Sequence, residues 1–135
     1  MTHSTVRWLT GRQFVGTDST KHSVVLSSSG EGVGVKPSDM LLVALSSCTA
    51  VDIVDILEKK KIKLTLLEIY AEGVQDQDPP WTFRKIHLHY KVAGIGLTRK
   101  ALEQTIELSE SKYCSVAATI RGVAEISTSF DLLVE

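Results

Sequence analysis

The run from Lys36 to Leu57 constrains this chain more than any other stretch, because it reads as one long helix. Pro37 suits the first turn, where its missing N–H would have no partner anyway, and Asp39 suits the positive end of the helix dipole. Residues 40 to 45 are apolar without a break, which predicts burial all round for that half. Further on, Asp52, Asp55, Glu58 and Lys59 interleave with Val51, Ile53, Val54, Ile56 and Leu57, so the second half is amphipathic. Lys59 to Lys61 then stand at the negative end of the dipole. Cys48 lies where the two halves meet, among Ser46, Ser47 and Thr49.

A chain of 135 residues can bury one sizeable core around such a helix. A net charge of −1 leaves no basic face for a phosphate backbone, so no nucleic-acid partner is expected. The lysine run reads as a solvated helix end. Residues 1 to 7 lack the apolar core of a signal peptide, and the long helix is interrupted by Ser, Cys, Thr and Asp. The expectation is therefore a cytoplasmic protein with no membrane partner. In that compartment two cysteines are not expected to form a permanent staple; they are catalytic, redox-active or plain core thiols.

Short strands are expected at Thr5–Leu9, Gln13–Val15 and Ser23–Leu26, with Gly11 and the Gly16–Ser19 cluster as turns. Ser27 to Gly34 reads as a flexible loop feeding the helix. Beyond the helix, Leu67, Ile69 and Ala71 alternate with Glu68, Tyr70 and Glu72 in a strand spanning Leu64 to Gln75. Thr82 to Val92 alternates too, with Arg84, Ile86, Leu88, Tyr90 and Val92 on one face and Phe83, Lys85, His87, His89 and Lys91 on the other. The two runs predict a long antiparallel pair joined through Pro79–Pro80. Thr98 should cap a helix reaching about Ser111, with Ala101, Leu102, Thr105, Ile106 and Leu108 as its buried stripe. A short helix over Val116 to Arg121, ended by Gly122, and a strand over Ala124 to Val134 complete the chain. The fold class is α+β: one domain over residues 1–135, an antiparallel sheet packed on the long helix that carries Cys48. That helix has more apolar surface than one sheet face covers, which points to a homodimer.

Cys48 and Cys114 are far apart in sequence and fit neither a zinc motif nor a CxxC pair, so no metal or cofactor is expected. Cys114 falls just before a helix, whose dipole would acidify it; Cys48, in mid-helix, would need a nearby cation. An ordinary thiol with a pKa of about 8.5 is only ~3% thiolate at pH 7. Lowering that by about 2 units gives ~75% thiolate and takes roughly 2.7 kcal/mol, which a desolvated guanidinium in contact can supply. Among the five arginines, Arg12 follows Gly11 at a turn that could aim it inward. Asp52, one turn past Cys48, opposes ionisation unless it is neutralised. Plain packing remains open for both cysteines, since cysteine is often a small buried hydrophobe.

Pro37 through Asp52 resembles the central-helix signature of the OsmC/Ohr family: a proline, an acidic residue, an apolar run and a cysteine at this spacing. Lys112-Tyr113-Cys114-Ser115-Val116 is similar to the family's lysine-tyrosine-cysteine segment before its last helix. The resemblance implies an intertwined homodimer that reduces organic hydroperoxides through thiols. Carried over, Cys48 is the peroxidatic cysteine, Cys114 the resolving cysteine that closes a disulfide with it, and Arg12 the residue that holds the thiolate and polarises the peroxide. A dithiol reductant of lipoyl type would restore both thiols. In the Ohr branch a glutamate directly follows the proline; here Ser38 does, and the carboxylate is Asp39, about 100° further round a helix. The pattern is nearer the OsmC-like branch, and the alternative function is a small-molecule-binding or redox-sensing dimer with little turnover.

His87 and His89 sit two apart on one strand face, a metal-capable spacing, but without an evident Cys, Asp or Glu partner they read as a solvated face. His22, at the start of the third strand, reads as packing or surface. Ser46 and Ser47 have no His and Asp arrangement to make either a nucleophile. Trp81, after the proline pair, is a candidate cap for an apolar pocket.

Overall fold

Three short runs punctuated by turn residues form the first sheet of the computed structural model, which describes residues 1–28, 30 and 32–133. Strands β1 (Ser4–Thr10), β2 (Gln13–Asp18) and β3 (Ser23–Ser27) make an antiparallel meander in the order β1-β2-β3. Gly11, with φ of 53°, takes the left-handed turn conformation between the first two. The Asp18 carboxylate accepts the N–H groups of Thr20 (2.9 Å) and His22 (3.0 Å) and so closes the next turn. The His22 and Thr20 bonds hold its carboxyl below the usual range. His22 is exposed and bonds Thr20 within that turn, a surface role.

The loop after β3 is clipped at both ends. Ser27 Oγ donates to the Gly34 carbonyl (3.2 Å) and accepts from its N–H (3.0 Å). Gly34 passes so close to the Leu26 backbone that a Cβ would stand 2.6 Å from it. Ser29 and Glu31, in the stretch read as flexible, lie outside the described residues. The chain divides into two compact units, Met1–Leu41 and Leu42–Glu135.

The long helix α1 spans Pro37–Lys59, close to its expected bounds. By length and composition it is apolar enough to cross a bilayer, yet Leu45, Thr49, Ile53 and Leu57 form a buried stripe at i, i+4 spacing. The expectation of burial all round for residues 40 to 45 fails: Leu41 is 37% and Val43 47% exposed. Six uninterrupted apolar residues cover every azimuth of a helix, and a single chain covers only part of it.

In the second unit β4 (Lys63–Gln75) and β5 (Phe83–Ile95) pair antiparallel as expected. The final strand β6 (Glu125–Leu132) adds to β5 in parallel, giving the order β4-β5-β6. The sheet material is therefore two three-stranded sheets, and the second is mixed rather than antiparallel. Two-residue alternation sets which face is buried but says nothing of strand direction. The helical connection between β5 and β6 is long enough for the crossover a parallel neighbour requires. Val134, expected in the last strand, lies outside the described residues.

Ile86, Leu88, Tyr90 and Val92 of β5 are buried, as their alternation predicts, and cluster with Leu45, Ile53 and Leu57. Helix α2 (Arg99–Leu108) adds Leu102 and Ile106; the Thr98 side chain caps it by accepting from the Ala101 N–H at 3.1 Å. Thr105 is buried too, whereas Ala101 is half-buried and Leu108 is 36% exposed, so the expected stripe is narrower. The chain continues not as regular helix to Ser111 but as a π-helical turn, Ser109–Tyr113, followed by the short helix α3 (Ser115–Ile120). Trp81 is 54% exposed.

Candidate functional site

Cys48 lies one residue before the buried Thr49, on the edge of the core-facing stripe of α1, and is half-buried. Cys114 ends the π-helical turn, where its N–H reaches back five residues to the Ser109 carbonyl at 2.7 Å. It also caps α3, its sulfur accepting the Ala117 N–H at 3.3 Å, and is 2% exposed. The turn and the cap together bring its thiol within hydrogen-bonding reach of Cys48.

The two sulfurs are inequivalent. Burial raises the Cys48 pKa, but the Val116 N–H, the Cys114 thiol and the Ser115 hydroxyl all donate to its sulfur, and the net shift is downward. Nearby Asp52 opposes that shift. Burial pushes Cys114 up to about 11; the Ala117 N–H relieves this only in part, and the neighbouring Cys48 adds to it. Cys48 is therefore the more acidic of the two, and Cys114 the thiol that donates to it. The backbone donor among these, the Val116 N–H, lies at the start of α3, a helix other than the one that carries Cys48.

A buried polar chain runs beside the sulfurs. Tyr90 Oη lies 3.1 Å from Thr49 Oγ1, which lies 2.7 Å from Ser109 Oγ, which donates to Asp52 Oδ2 at 2.8 Å. Tyr90, Thr49 and Ser109 are each at most 2% exposed. Burial pushes the Tyr90 phenol up to about 12, so it stays protonated. The residue names alone did not mark this chain, since three hydroxyls on three separate elements have no shared spacing. A cavity of about 480 Å³ opens alongside, lined by Asp52, Asp55, Ile56, Lys59, Lys60, Leu108 and Tyr113. It shares Asp52 with the polar chain and Tyr113 with the segment that carries Cys114.

Arg12 and Asp39 fall in the first unit. Arg12 is exposed at the β1–β2 turn, its carbonyl accepting the Ser28 N–H at 3.1 Å. Asp39 is exposed in the first turn of α1.

His87 and His89 do have partners, and all of them come from β6. His87 Nδ1 lies 2.7 Å from Ser127 Oγ and its Nε2 2.7 Å from Ser129 Oγ. His89 Nδ1 lies 2.6 Å from Ser129 Oγ and its Nε2 2.9 Å from Asp131 Oδ2. All four ring nitrogens are engaged, and no group among the described residues is arranged to hold a metal ion. Parallel pairing of β5 with β6 creates this ladder, so β5 alone could not reveal it.

An α+β chain that brings two reduced cysteines of unequal acidity together at the start of a short helix is, by class, a dithiol protein. The profile of OsmC-like proteins matches residues 29–129, and the chain belongs to that family. It is 29% identical to Protein YhfA of Escherichia coli K12 over 128 residues, 95% of this chain and 96% of that one. A crystal structure of a protein from Aquifex aeolicus VF5 is 26% identical, with a TM-score of 0.83 over 99% of this chain and 98% of the other. The organic hydroperoxide resistance protein OsmC of Legionella pneumophila, at 18% identity, shares the fold with a TM-score of 0.71 over 97% and 96% of the two chains.

Proposed function

We propose that the protein is a thiol-dependent peroxidase for organic hydroperoxides, working as a homodimer in the cytoplasm. The observation that carries the reading is the hydrogen-bonded pair of unequal thiols. The Cys48 thiolate attacks the terminal peroxide oxygen. The O–O bond breaks, the departing alkoxide takes a proton to become an alcohol, and Cys48 is left as a sulfenic acid. Cys114, losing its proton, attacks the Cys48 sulfur and expels the hydroxyl as water, closing a disulfide. A lipoyl-type dithiol reduces that bond and leaves as its own disulfide.

Arg12 and Asp39 enter this reading through the family resemblance: Arg12 to hold the thiolate and polarise the peroxide, Asp39 as the carboxylate in place of the usual glutamate. Val43, Val51 and Val54, exposed by 47%, 60% and 44%, form an apolar face of α1 suited to a second copy. Residues 1–135 are read as a single domain of the family, in keeping with relatives that match nearly the whole chain.

The test is consumption of cumene hydroperoxide with dihydrolipoamide, by wild type and by Cys48→Ser. Turnover that vanishes in the variant supports the reading. No turnover in wild type overturns it and leaves a redox-sensing dimer.

A further inference from the structure

Ser109 opens the π-helical turn and is fully buried, yet the reaction above gives it no part. We propose that Ser109, held by Thr49, is a positioning residue that docks the π-helical turn onto α1 and so delivers Cys114 to Cys48. The geometry stands by itself; its chemical consequence rests on the peroxidase reading.

A carboxylate has no proton to give, so Asp52 sets the direction of the whole chain. Ser109 spends its one proton on Asp52 and must accept from Thr49. Thr49 spends its proton on Ser109 and must accept from Tyr90. Reversing the links would take the Ser109 proton away from the Asp52 carboxylate. The same Ser109 then accepts the Cys114 N–H through its carbonyl at 2.7 Å. Its side chain grips α1 at the residue after Cys48, and its backbone grips Cys114. The two sulfurs are thus joined by a ring of two hydrogen bonds and short stretches of chain, the turn's geometry fixing their approach.

The experiment compares wild type, Ser109→Ala, Thr49→Val and the hydroxyl-retaining Thr49→Ser, with circular dichroism to verify folding. First, the Cys48–Cys114 disulfide is equilibrated against oxidised and reduced glutathione, which needs no peroxide. Ser109→Ala and Thr49→Val should lower its equilibrium constant about tenfold, and Thr49→Ser should restore it. Second, stopped-flow with cumene hydroperoxide and a dimedone trap separates the two steps. Sulfenic acid formation should stay within about twofold, while disulfide closure slows about tenfold. Wild-type equilibrium and closure in both hydroxyl-deleted variants would overturn the proposal, as would a parallel fall of both steps. If wild type ignores the peroxide but the glutathione equilibrium still shifts in the variants, the peroxidase reading fails and the positioning role stands.

Discussion

The Cys114 thiol donates a hydrogen bond to the Cys48 sulfur, although the two residues sit on different elements. This one contact ranks the thiols: the acceptor ionises first and the donor keeps its proton.

Alkylation should expose that ranking. Iodoacetamide at pH 7.5, followed by peptide mass mapping, should label Cys48 and spare Cys114. The pH profile of Cys48 should lie below that of a free thiol. Labelling of both at equal rates would contradict the assigned donor and acceptor.

Cys114→Ser and Cys114→Ala should part company. Serine can still accept the Ala117 N–H and still donate to Cys48, so α3 stays capped and Cys48 stays acidic. Alanine does neither. It should cost about 1 kcal/mol in urea unfolding and move the Cys48 alkylation profile to higher pH.

Alkaline stability follows from two raised groups. Cys114 moves from 9.0 to about 11, and Tyr90 from 10.0 to about 12. The unfolded chain releases these protons first, so stability falls as pH climbs from about 9 to about 12. Cys48, lowered in the folded state, has the opposite sign, adding stability as pH rises toward 9. Denaturation midpoints across pH 7 to 11 should rise slightly and then drop, and Cys114→Ser should flatten the drop.

The histidine ladder has a defined proton order. Asp131 can only accept, so His89 carries its proton on Nε2, Ser129 donates to His89 Nδ1, His87 carries its proton on Nε2, and Ser127 donates to His87 Nδ1. Nitrogen-15 correlation spectra of the neutral rings should show both as the Nε2–H tautomer. Asp131→Asn should release His89 from that form.

Ile53→Ala, at the centre of the buried stripe of α1, should cost about 2–5 kcal/mol in urea unfolding. Val51→Ala, on the exposed face, should leave the unfolding of an isolated chain almost unchanged. A dilution-dependent loss for Val51→Ala, tracked by light scattering, is the outcome expected if a second copy covers that face.

Local pattern carried much of this fold. Pro37 and Asp39 marked the start of α1, alternation from Ile86 to Val92 marked the core face of β5, and Thr98 marked the cap of α2. The parallel docking of β6 was not legible, because alternation has no direction. Nor was the Val116 N–H that donates to Cys48, a backbone group that every residue but proline owns. The sulfur pair was legible only as two cysteines in a family-like context. Their proximity comes from a π-helical turn whose residues, Ser109 to Tyr113, would equally well continue an α-helix.

That turn winds through one more residue than an α-helical loop would. Excising a single amino acid between Leu108 and Cys114 would restore ordinary winding and swing the second sulfur by about 100°. Ser109 apart, the spelling of this segment can drift more safely than its length, so insertions and deletions here should silence the dithiol even in a chain that folds well.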